Sequence, residues 1–248
     1  MRIPGEWHRS FFKTSFYNPA SPAALAKAGA EASFVIRKMK LRAGDRLLDL
    51  CCGPGRHAVP LAKKGLEVTG YDLSADYLKE AAERAAKARV KVRFLKGDMR
   101  RLAFKGEFDA VTSLFTSFGY FRKFSDDMRV LKGTARALRP GGYFLLDIVN
   151  RERLKSELRQ RYWERLGKND YSLDESEPAG DGIVTTRTRL KGGAAESRTY
   201  FVRLYSKARI SAALRKAGLK PLRCWGGFDG SPFGPGSRRL IVLARRTG

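Results

Sequence analysis

The stretch from Leu47 to Ala62 reads LLDLCCGPGRHAVPLA and decides the fold of this chain. A short apolar run that is typical of a buried strand leads into a glycine-rich turn and then into a segment that predicts a helix. A strand, a glycine turn and a helix in this order bring backbone groups and a helix start to the carboxyl end of a parallel sheet, where ligands bind. The turn therefore predicts a ligand site. It also carries two adjacent cysteines, Cys51 and Cys52.

The alternation of strand and helix patterns continues through residues 45–150 and predicts a parallel α/β sheet. The predicted strands are Arg46–Leu50, Leu66–Asp72, Val90–Asp98, Phe108–Phe115 and Gly141–Val149. The predicted helices are His57–Gly65, Ser74–Ala88 and Ser125–Leu138, with Ser74 and Ser125 as the N-cap residues.

The segments on either side of residues 41–150 have other patterns. Residues 1–40 are rich in aromatic side chains, contain a predicted helix at Ala24–Met39 and are predicted to form a lid. Residues 151–205 begin with a helical pattern and become polar and Thr-rich, which indicates a small antiparallel insertion. Residues 206–248 predict a helix and a closing strand pair at Leu219–Phe228 and Arg238–Arg246.

Composition limits the class of protein. The chain has 248 residues, 43% of them hydrophobic, and it contains neither a run of about 18 apolar residues nor an apolar signal-peptide core. We therefore expect a cytoplasmic protein without a membrane partner. Three cysteines, two of them adjacent, do not form a disulfide framework or a zinc motif, so no metal site is expected.

The net charge of +25 favours anionic partners, among them nucleic acid. The basic residues are nevertheless spread along the chain, without a block of five or six like charges. The densest excess follows Ser206, where ten basic residues accompany one acid, Asp229. A solvated basic surface is at least as good an interpretation as a nucleic-acid footprint.

Gly53 and Gly55 allow a ligand to approach the backbone, and Asp72 ends the next strand, where its carboxylate can accept hydrogen bonds from ribose hydroxyls. These features predict a nucleoside cofactor. A nicotinamide cofactor is one alternative, because Gly53-x-Gly55-x-x-Ala58 fits the dinucleotide fingerprint. Asp49 argues against it, since dinucleotide-binding strands normally keep that position apolar.

LLDLCCGPGRH resembles motif I of the class I S-adenosylmethionine-dependent methyltransferases, which commonly reads VLDLGCGTG. The resemblance continues in order through YDLS (71–74), GDM (97–99), the fourth strand and active-site loop FDAVTSLFTSFGYF (108–121) and LRPGGYFLLD (138–147). It covers residues 41–150 and the C-terminal strand pair. It implies a Rossmann-like fold with a seven-stranded, mostly parallel sheet and a reversed C-terminal hairpin, together with the antiparallel insertion and the N-terminal helical lid.

The resemblance also implies roles for individual residues. The methionine part of S-adenosylmethionine would lie against the turn and beside Asp49 and Leu114, the ribose on Asp72, and the adenine between Leu73 and Met99 with its amine on Asp98. The whole implied cofactor set is Asp49, Cys51, Gly53, Gly55, Arg56, His57, Asp72, Leu73, Asp98, Met99 and Leu114. Of these, Arg56 and His57 either line the methionine end or cap the following helix. The product would be S-adenosylhomocysteine.

The active-site loop lacks the proline motif of amino-methylating DNA enzymes, the cysteine of cytosine C5 enzymes and the acid of metal-dependent catechol enzymes. The remaining resemblance is to small-molecule N- and O-methyltransferases, so a small-molecule methyl acceptor is expected. Tyr17 and Tyr120 are predicted to orient the acceptor, and its pocket is predicted to include Phe11, Phe12, Phe115, Phe118 and Asn150. The alternatives are a tRNA, rRNA or protein methyltransferase, an inactive cofactor-binding protein and, more distantly, a nicotinamide-dependent oxidoreductase.

Overall fold

The computed structural model describes Trp7, Phe11, Phe12 and residues 16–158 and 160–248. The strands in this part of the chain are β1 (Arg46–Leu50), β2 (Glu67–Asp72), β3 (Val92–Lys96), β4 (Phe108–Ser113), β5 (Leu138–Val149), β6 (Arg161–Gly167), β7 (Asp170–Ala179), β8 (Gly182–Lys191), β9 (Ala194–Arg203), β10 (Leu219–Trp225) and β11 (Arg239–Arg246). The α-helices are α1 (Pro22–Met39), α2 (Ala58–Lys63), α3 (Ala75–Lys87), α4 (Phe124–Ala137), α5 (Arg151–Glu157) and α6 (Lys207–Lys216). A short 3₁₀ helix follows β3 at Met99–Arg101.

Seven strands form the central sheet in the order β10-β11-β5-β4-β1-β2-β3. Strands β1 to β5 pair in parallel, whereas β11 is antiparallel to both β5 and β10. The predicted sheet with a reversed C-terminal strand is therefore confirmed. Because the first five strands are parallel, their carboxyl ends meet at one edge, and the chain segments that follow them converge there.

The predicted antiparallel insertion is also confirmed. Strands β6 to β9 form a separate four-stranded sheet in sequence order, with antiparallel pairing throughout. Each strand follows its neighbour through a tight connection, as expected for a meander of hairpins.

Both faces of the central sheet are buried, which explains why β1 is apolar after the exposed Arg46 except for Asp49. Leu48 packs in one core cluster with Leu131 of α4 and Leu214 of α6. Its neighbour Leu47 points to the opposite face and packs with Phe34 of α1. In the described part of the chain no helix is long and apolar enough to cross a membrane.

Of the two serines predicted as helix N-caps, one holds that position and the other does not. Ser74 is the N-cap of α3, and its hydroxyl accepts from Tyr77 N at 3.4 Å, as predicted. The prediction for Ser125 was wrong, because α4 begins at Phe124 and Lys123 holds the cap position without a side-chain hydrogen bond. Two acids in the first turn of α4, Asp126 and Asp127, place negative charge near the helix start, where it is favourable.

Asn150 follows β5 and holds the long connection between β10 and β11. Its side-chain amide shares two N–H groups among the carbonyl oxygens of Gly234, Pro235 and Ser237, at 3.1, 2.9 and 2.9 Å. Its Oδ1 accepts from Glu152 N at 3.1 Å and caps α5. The side chain is buried, so its removal would leave several backbone groups without partners.

We expect Asn150→Ala to lower the free energy of unfolding by about 1–3 kcal/mol, because unpaired buried polar groups lose their hydrogen bonds without regaining water. Urea unfolding followed by circular dichroism measures the change. Gln160→Ala, at an exposed position, is the control and should stay within about 0.5 kcal/mol of the wild type. Equal stability of Asn150→Ala and the control would show that the hydrogen bonds of Asn150 do not stabilise the fold.

Candidate functional site

A cavity of about 330 Å³ lies at the carboxyl ends of the parallel strands. Its volume is in the range of small-molecule sites, about 300–1,000 Å³. The glycine turn, the ends of β2 and β3, the segment after β4 and the N-terminal segment all contribute to its wall. The lining residues include Trp7, Phe12, Tyr17, Asn18, Cys51, Gly53, Arg56, His57, Asp72, Leu73, Tyr77, Asp98, Met99, Arg100, Leu114, Phe115, Ser117, Tyr120 and Phe121.

Hydrogen bonds inside the protein use the backbone donors of the glycine turn. The carbonyl oxygen of Tyr71 accepts from Cys51 N at 2.7 Å and from Cys52 N at 3.2 Å. Gly53 N donates to Asp72 Oδ2 at 2.8 Å. These three N–H groups are therefore engaged inside the protein and are not available to a pyrophosphate, which argues against the nicotinamide interpretation.

The turn has the backbone conformation that glycine permits. Gly55 has φ +76°, and a Cβ atom there would lie 3.1 Å from the Cβ of Ala81 on α3. Cys51 has φ +61°, which is uncommon for a residue with a side chain, and its Sγ lies 3.4 Å from Met99 Sδ. Burial raises the pKa of the Cys51 and Cys52 thiols, so both stay protonated and are poor nucleophiles.

Asp72 is a carboxylate with a fixed orientation. Its Oδ2 accepts from Gly53 N and its Oδ1 accepts from Ser74 N at 2.9 Å. Burial raises the pKa of Asp72, and the backbone hydrogen bonds oppose that shift. Each carboxylate oxygen has two lone pairs, so Asp72 keeps an acceptor position on both oxygens for a pair of ligand hydroxyls.

Asp49 lies beneath the cavity wall rather than in it. Its Oδ1 accepts from Thr112 Oγ1 at 3.0 Å, while its Oδ2 is buried and has no hydrogen-bond partner among the described residues. Burial raises the pKa of Asp49, and the nearby His57 and Arg56 oppose that shift. An unpaired buried acceptor next to a cavity suits a ligand cation, reached directly or through a water molecule.

Asp98 is already engaged by a neighbouring side chain. Arg100 Nε lies 3.0 Å from both carboxylate oxygens of Asp98, and Arg100 Nη2 lies 2.5 Å from Oδ2. This pair raises the pKa of Arg100 and fixes both side chains at the cavity wall. Any ligand amine at Asp98 would share the carboxylate with the guanidinium.

A strained turn follows β4. Phe115 and Thr116 both have φ +57°, a conformation that costs of order 1–3 kcal/mol for such residues. Asp147 of β5 holds the turn, because its carboxylate accepts from Phe115 N at 2.8 Å and its carbonyl accepts from Thr116 N at 3.0 Å. Arg239 of β11 pairs with Asp147 at 2.7 Å and donates to Thr116 Oγ1.

A buried charged group lies beside this turn. Glu31 of α1 contacts His57 Nε2 at 2.8 Å and Arg56 Nη2 at 3.2 Å through one carboxylate oxygen. The Arg56 guanidinium lies 3.3 Å from the centre of the Phe115 ring. Burial lowers the pKa of Arg56, and the charge of Glu31 opposes that shift. The positive charge of Arg56 is therefore balanced before any ligand binds.

Aromatic rings form the remaining wall. The ring of Trp7 lies 5.6 Å from that of Tyr120 and 5.9 Å from that of Phe12. Tyr200 of β9 packs behind Tyr120. Burial raises the pKa of Tyr120 well above its usual range, so its hydroxyl is neutral and can donate a hydrogen bond. The N-terminal segment, the active-site loop and the insertion thus meet in one aromatic cluster.

The structure brings most of the predicted site residues to the cavity, but it places five elsewhere. Asp49 lies beneath the wall, and Gly55 packs on Ala81. Phe118 is buried in the core against Tyr205. The other two are Phe11, which packs behind the lining aromatics, and Asn150, which holds the connection to β11. Their roles toward a ligand stay predictions.

Several lining residues were not predicted. Tyr77 of α3 donates from its hydroxyl to Tyr17 O at 2.5 Å and so attaches the N-terminal segment to the cavity. Arg100, Phe121 and Trp7 also line the cavity. A basic residue two positions after Asp98 was a usable signal for the ion pair. The aromatic contacts of Trp7 depend on tertiary packing and had no local signal.

The described residues contain no group of three or more His, Cys, Asp and Glu side chains that could hold a metal ion. Asp147 and Asn150, two oxygen donors at the end of β5, are engaged in the contacts given above.

A methyltransferase-domain family model matches residues 47–142. The Bacillus subtilis protein YqeM is 39% identical over 104 residues, which span 42% of this chain and 42% of YqeM. The chain thus covers less than half of that relative. The glycine/sarcosine N-methyltransferase of Halorhodospira halochloris is 27% identical over 217 residues, which span 82% of this chain and 76% of that enzyme.

A solved structure has the same fold. The S-adenosylmethionine-dependent methyltransferase from Clostridium acetobutylicum ATCC 824 superposes with a TM-score of 0.80 at 22% identity, over 88% of this chain and 92% of that chain. The comparisons favour neither an oxidoreductase nor an RNA or protein methyltransferase. The sheet order, the glycine turn and the family match over residues 47–142 together identify a methyltransferase domain in this chain.

Proposed function

We propose that the chain transfers a methyl group from S-adenosylmethionine to a nitrogen or oxygen of a small molecule, with an amine as the preferred acceptor. The observation that carries the proposal is the aromatic wall of Trp7, Phe12 and Tyr120 in the same cavity as Asp72. One cavity thus offers a nucleoside-binding carboxylate and a surface suited to a cationic or neutral amine.

The residues present fit the cofactor. Asp72 offers two oriented acceptor positions for the ribose diol, and Leu73 and Met99 both line the cavity where they can contact the adenine. The unpaired Oδ2 of Asp49 suits the ammonium group. Asp98 can accept from the adenine amine while it remains paired with Arg100.

When bound, S-adenosylmethionine supplies a methyl group activated by its sulfonium. The chain's own residues then have to orient an acceptor lone pair toward that methyl and keep water away. The buried aromatic rings exclude water from the acceptor side. The neutral hydroxyl of Tyr120 can donate a hydrogen bond that fixes the orientation of the acceptor.

The charges in the wall favour an amine over an anionic acceptor. Arg56 and Arg100 line the cavity, and each is paired with a carboxylate, Glu31 and Asp98 respectively. Neither guanidinium therefore needs a ligand anion to balance it, although the chain as a whole carries a net charge of +25. The amine substrates in the name of the Halorhodospira halochloris relative support the same choice.

The ribose contact predicts the effect of one substitution. Asp72→Ala should weaken binding of S-adenosylhomocysteine by about 10- to 100-fold, since hydrogen bonds to a charged group contribute about 1.5–3 kcal/mol. Isothermal titration calorimetry measures the dissociation constant. Asp76→Ala, at an exposed position on α3, should bind like the wild type. A melting temperature close to that of the wild type would show that Asp72→Ala is folded. Unchanged affinity would show that Asp72 does not bind the ribose.

The acceptor class can be tested with radiolabelled S-adenosylmethionine. Glycine, sarcosine and glucosamine are the amine probes, and unmodified tRNA is the polymer probe. We expect label transfer to at least one amine and none above background to tRNA. Tyr120→Phe should raise the KM for that amine several-fold, because one orienting hydrogen bond is lost. Labelling of tRNA alone would reverse the proposal.

A further inference from the structure

We propose that Arg203, the last residue of β9, is a positioning residue for the reaction, because its guanidinium fixes the active-site loop from Leu114 to Lys123. The proposal rests on the proposed function, since it concerns how the acceptor side of that cavity is held in shape. Arg203 itself does not line the cavity, whereas Tyr120 and Phe121 of the loop do.

The contacts of Arg203 reach the loop through three hydrogen bonds. Its backbone N donates to Gly119 O at 2.7 Å. Its Nη2 donates to Phe121 O at 2.9 Å and to Arg122 O at 2.8 Å. One side chain thus holds two consecutive carbonyl groups, and the backbone of the same residue holds a third. These contacts lie on both sides of Tyr120.

The rest of the guanidinium is anchored in the core. Its Nε donates at 2.9 Å to Asp127 Oδ2 on α4, and its Nη1 pairs with Asp181 at the turn between β7 and β8. Tyr205 also donates to Asp127 Oδ2, at 2.6 Å. Arg203 and Asp127 are 4% and 0% exposed, so water does not compete for these bonds.

Gly119 allows the loop backbone to lie close to Arg203. It has φ +99°, and a Cβ atom there would lie 3.1 Å from Arg203 O. The loop backbone therefore runs directly against the end of β9. Because Tyr200, three residues earlier on β9, packs against Tyr120, the strand and the loop meet twice, once through backbone and once through rings.

The shape of the guanidinium is what the contact requires. A planar group with five N–H donors can bond two carbonyls and two carboxylates at once, whereas the ammonium of lysine has three donors at a single point. Arg203→Lys keeps a positive charge beside the buried Asp127 but cannot reproduce the hold on Phe121 and Arg122. The two functions of Arg203, charge balance and loop positioning, can therefore be separated.

The experiment compares Arg203→Lys with Arg203→Met and with Arg209→Gln. Arg209 is the matched control because it also pairs with Asp181 but makes no contact with the loop in the described structure. Arg203→Met leaves Asp127 without its charged partner and should melt well below the wild type. Arg203→Lys should recover most of that loss, and Arg209→Gln should behave like the wild type.

Kinetics then separate positioning from structural support. For the amine identified with the acceptor probes, kcat/KM should fall roughly 10- to 100-fold in Arg203→Lys, since small displacements of an orienting group have effects of that size. The dissociation constant of S-adenosylhomocysteine should stay within about threefold, because its proposed carboxylate contacts, Asp49 and Asp72, lie on β1 and β2, which Arg203 does not contact. If lysine restores kcat/KM together with the melting temperature, Arg203 has a structural role and the proposal is overturned.

A spectroscopic measurement keeps the two proposals distinguishable. With fluorotyrosine incorporated, the ¹⁹F resonance of Tyr120, assigned by its loss in Tyr120→Phe, should shift or broaden in folded Arg203→Lys and remain as in the wild type in Arg209→Gln. An unchanged resonance in Arg203→Lys overturns the positioning role. If the wild type methylates none of the amine probes, the proposed function fails, and the resonance still decides the role of Arg203.

Discussion

The carbonyl oxygen of Tyr71 accepts two consecutive amide hydrogen bonds from the glycine turn, and the cavity depends on this contact. It joins the end of β2 to the turn after β1 and directs the turn's donors into the protein. Gly53 then completes the connection by donating to Asp72. The Cys51, Cys52 and Gly53 donors are thus turned away from the cavity, and the carboxylates of Asp72 and Asp98 line it. Two carboxylates in the wall suit a nucleoside that carries positive charge better than a pyrophosphate.

The side of the cavity proposed for the cofactor was predictable because it depends on local order along the chain. Parallel strands place the residues after Leu50, Asp72 and Lys96 at one edge, so the positions of Cys51, Asp72 and Asp98 followed from the strand pattern alone. The parallel pairing of the first five strands followed for the same reason, whereas the reversed last strand was implied only by the resemblance to the methyltransferases. Ser125 was the exception among the caps, since two acids in the first turn stabilise the start of α4 without it.

The acceptor side was less predictable because distant segments build it. Tyr77 and Tyr17 are 60 residues apart, and their hydrogen bond has no trace in local periodicity. Asn150 has the residue type and location expected of a pocket residue, yet its amide bonds to three carbonyls of a connection more than 80 residues away. Composition was also a poor guide to the cavity. The net charge of +25 is a property of the whole chain, whereas the two arginines in the cavity wall are each paired with a carboxylate.

The strained residues Phe115 and Thr116 can reach their final conformation only after a distant strand has been added to the sheet. Their left-handed conformations are held by Asp147, which is itself held by Arg239, 92 residues later in the chain and the first residue of β11. During synthesis the turn therefore exists for a long interval without its last support. The residues proposed to contact the nucleoside, Asp72, Leu73, Asp98 and Met99, all precede residue 100, whereas the turn after β4 acquires its last support when β11 pairs with β5. Synthesis of the proposed cofactor contacts and completion of this turn are thus separate events along the chain.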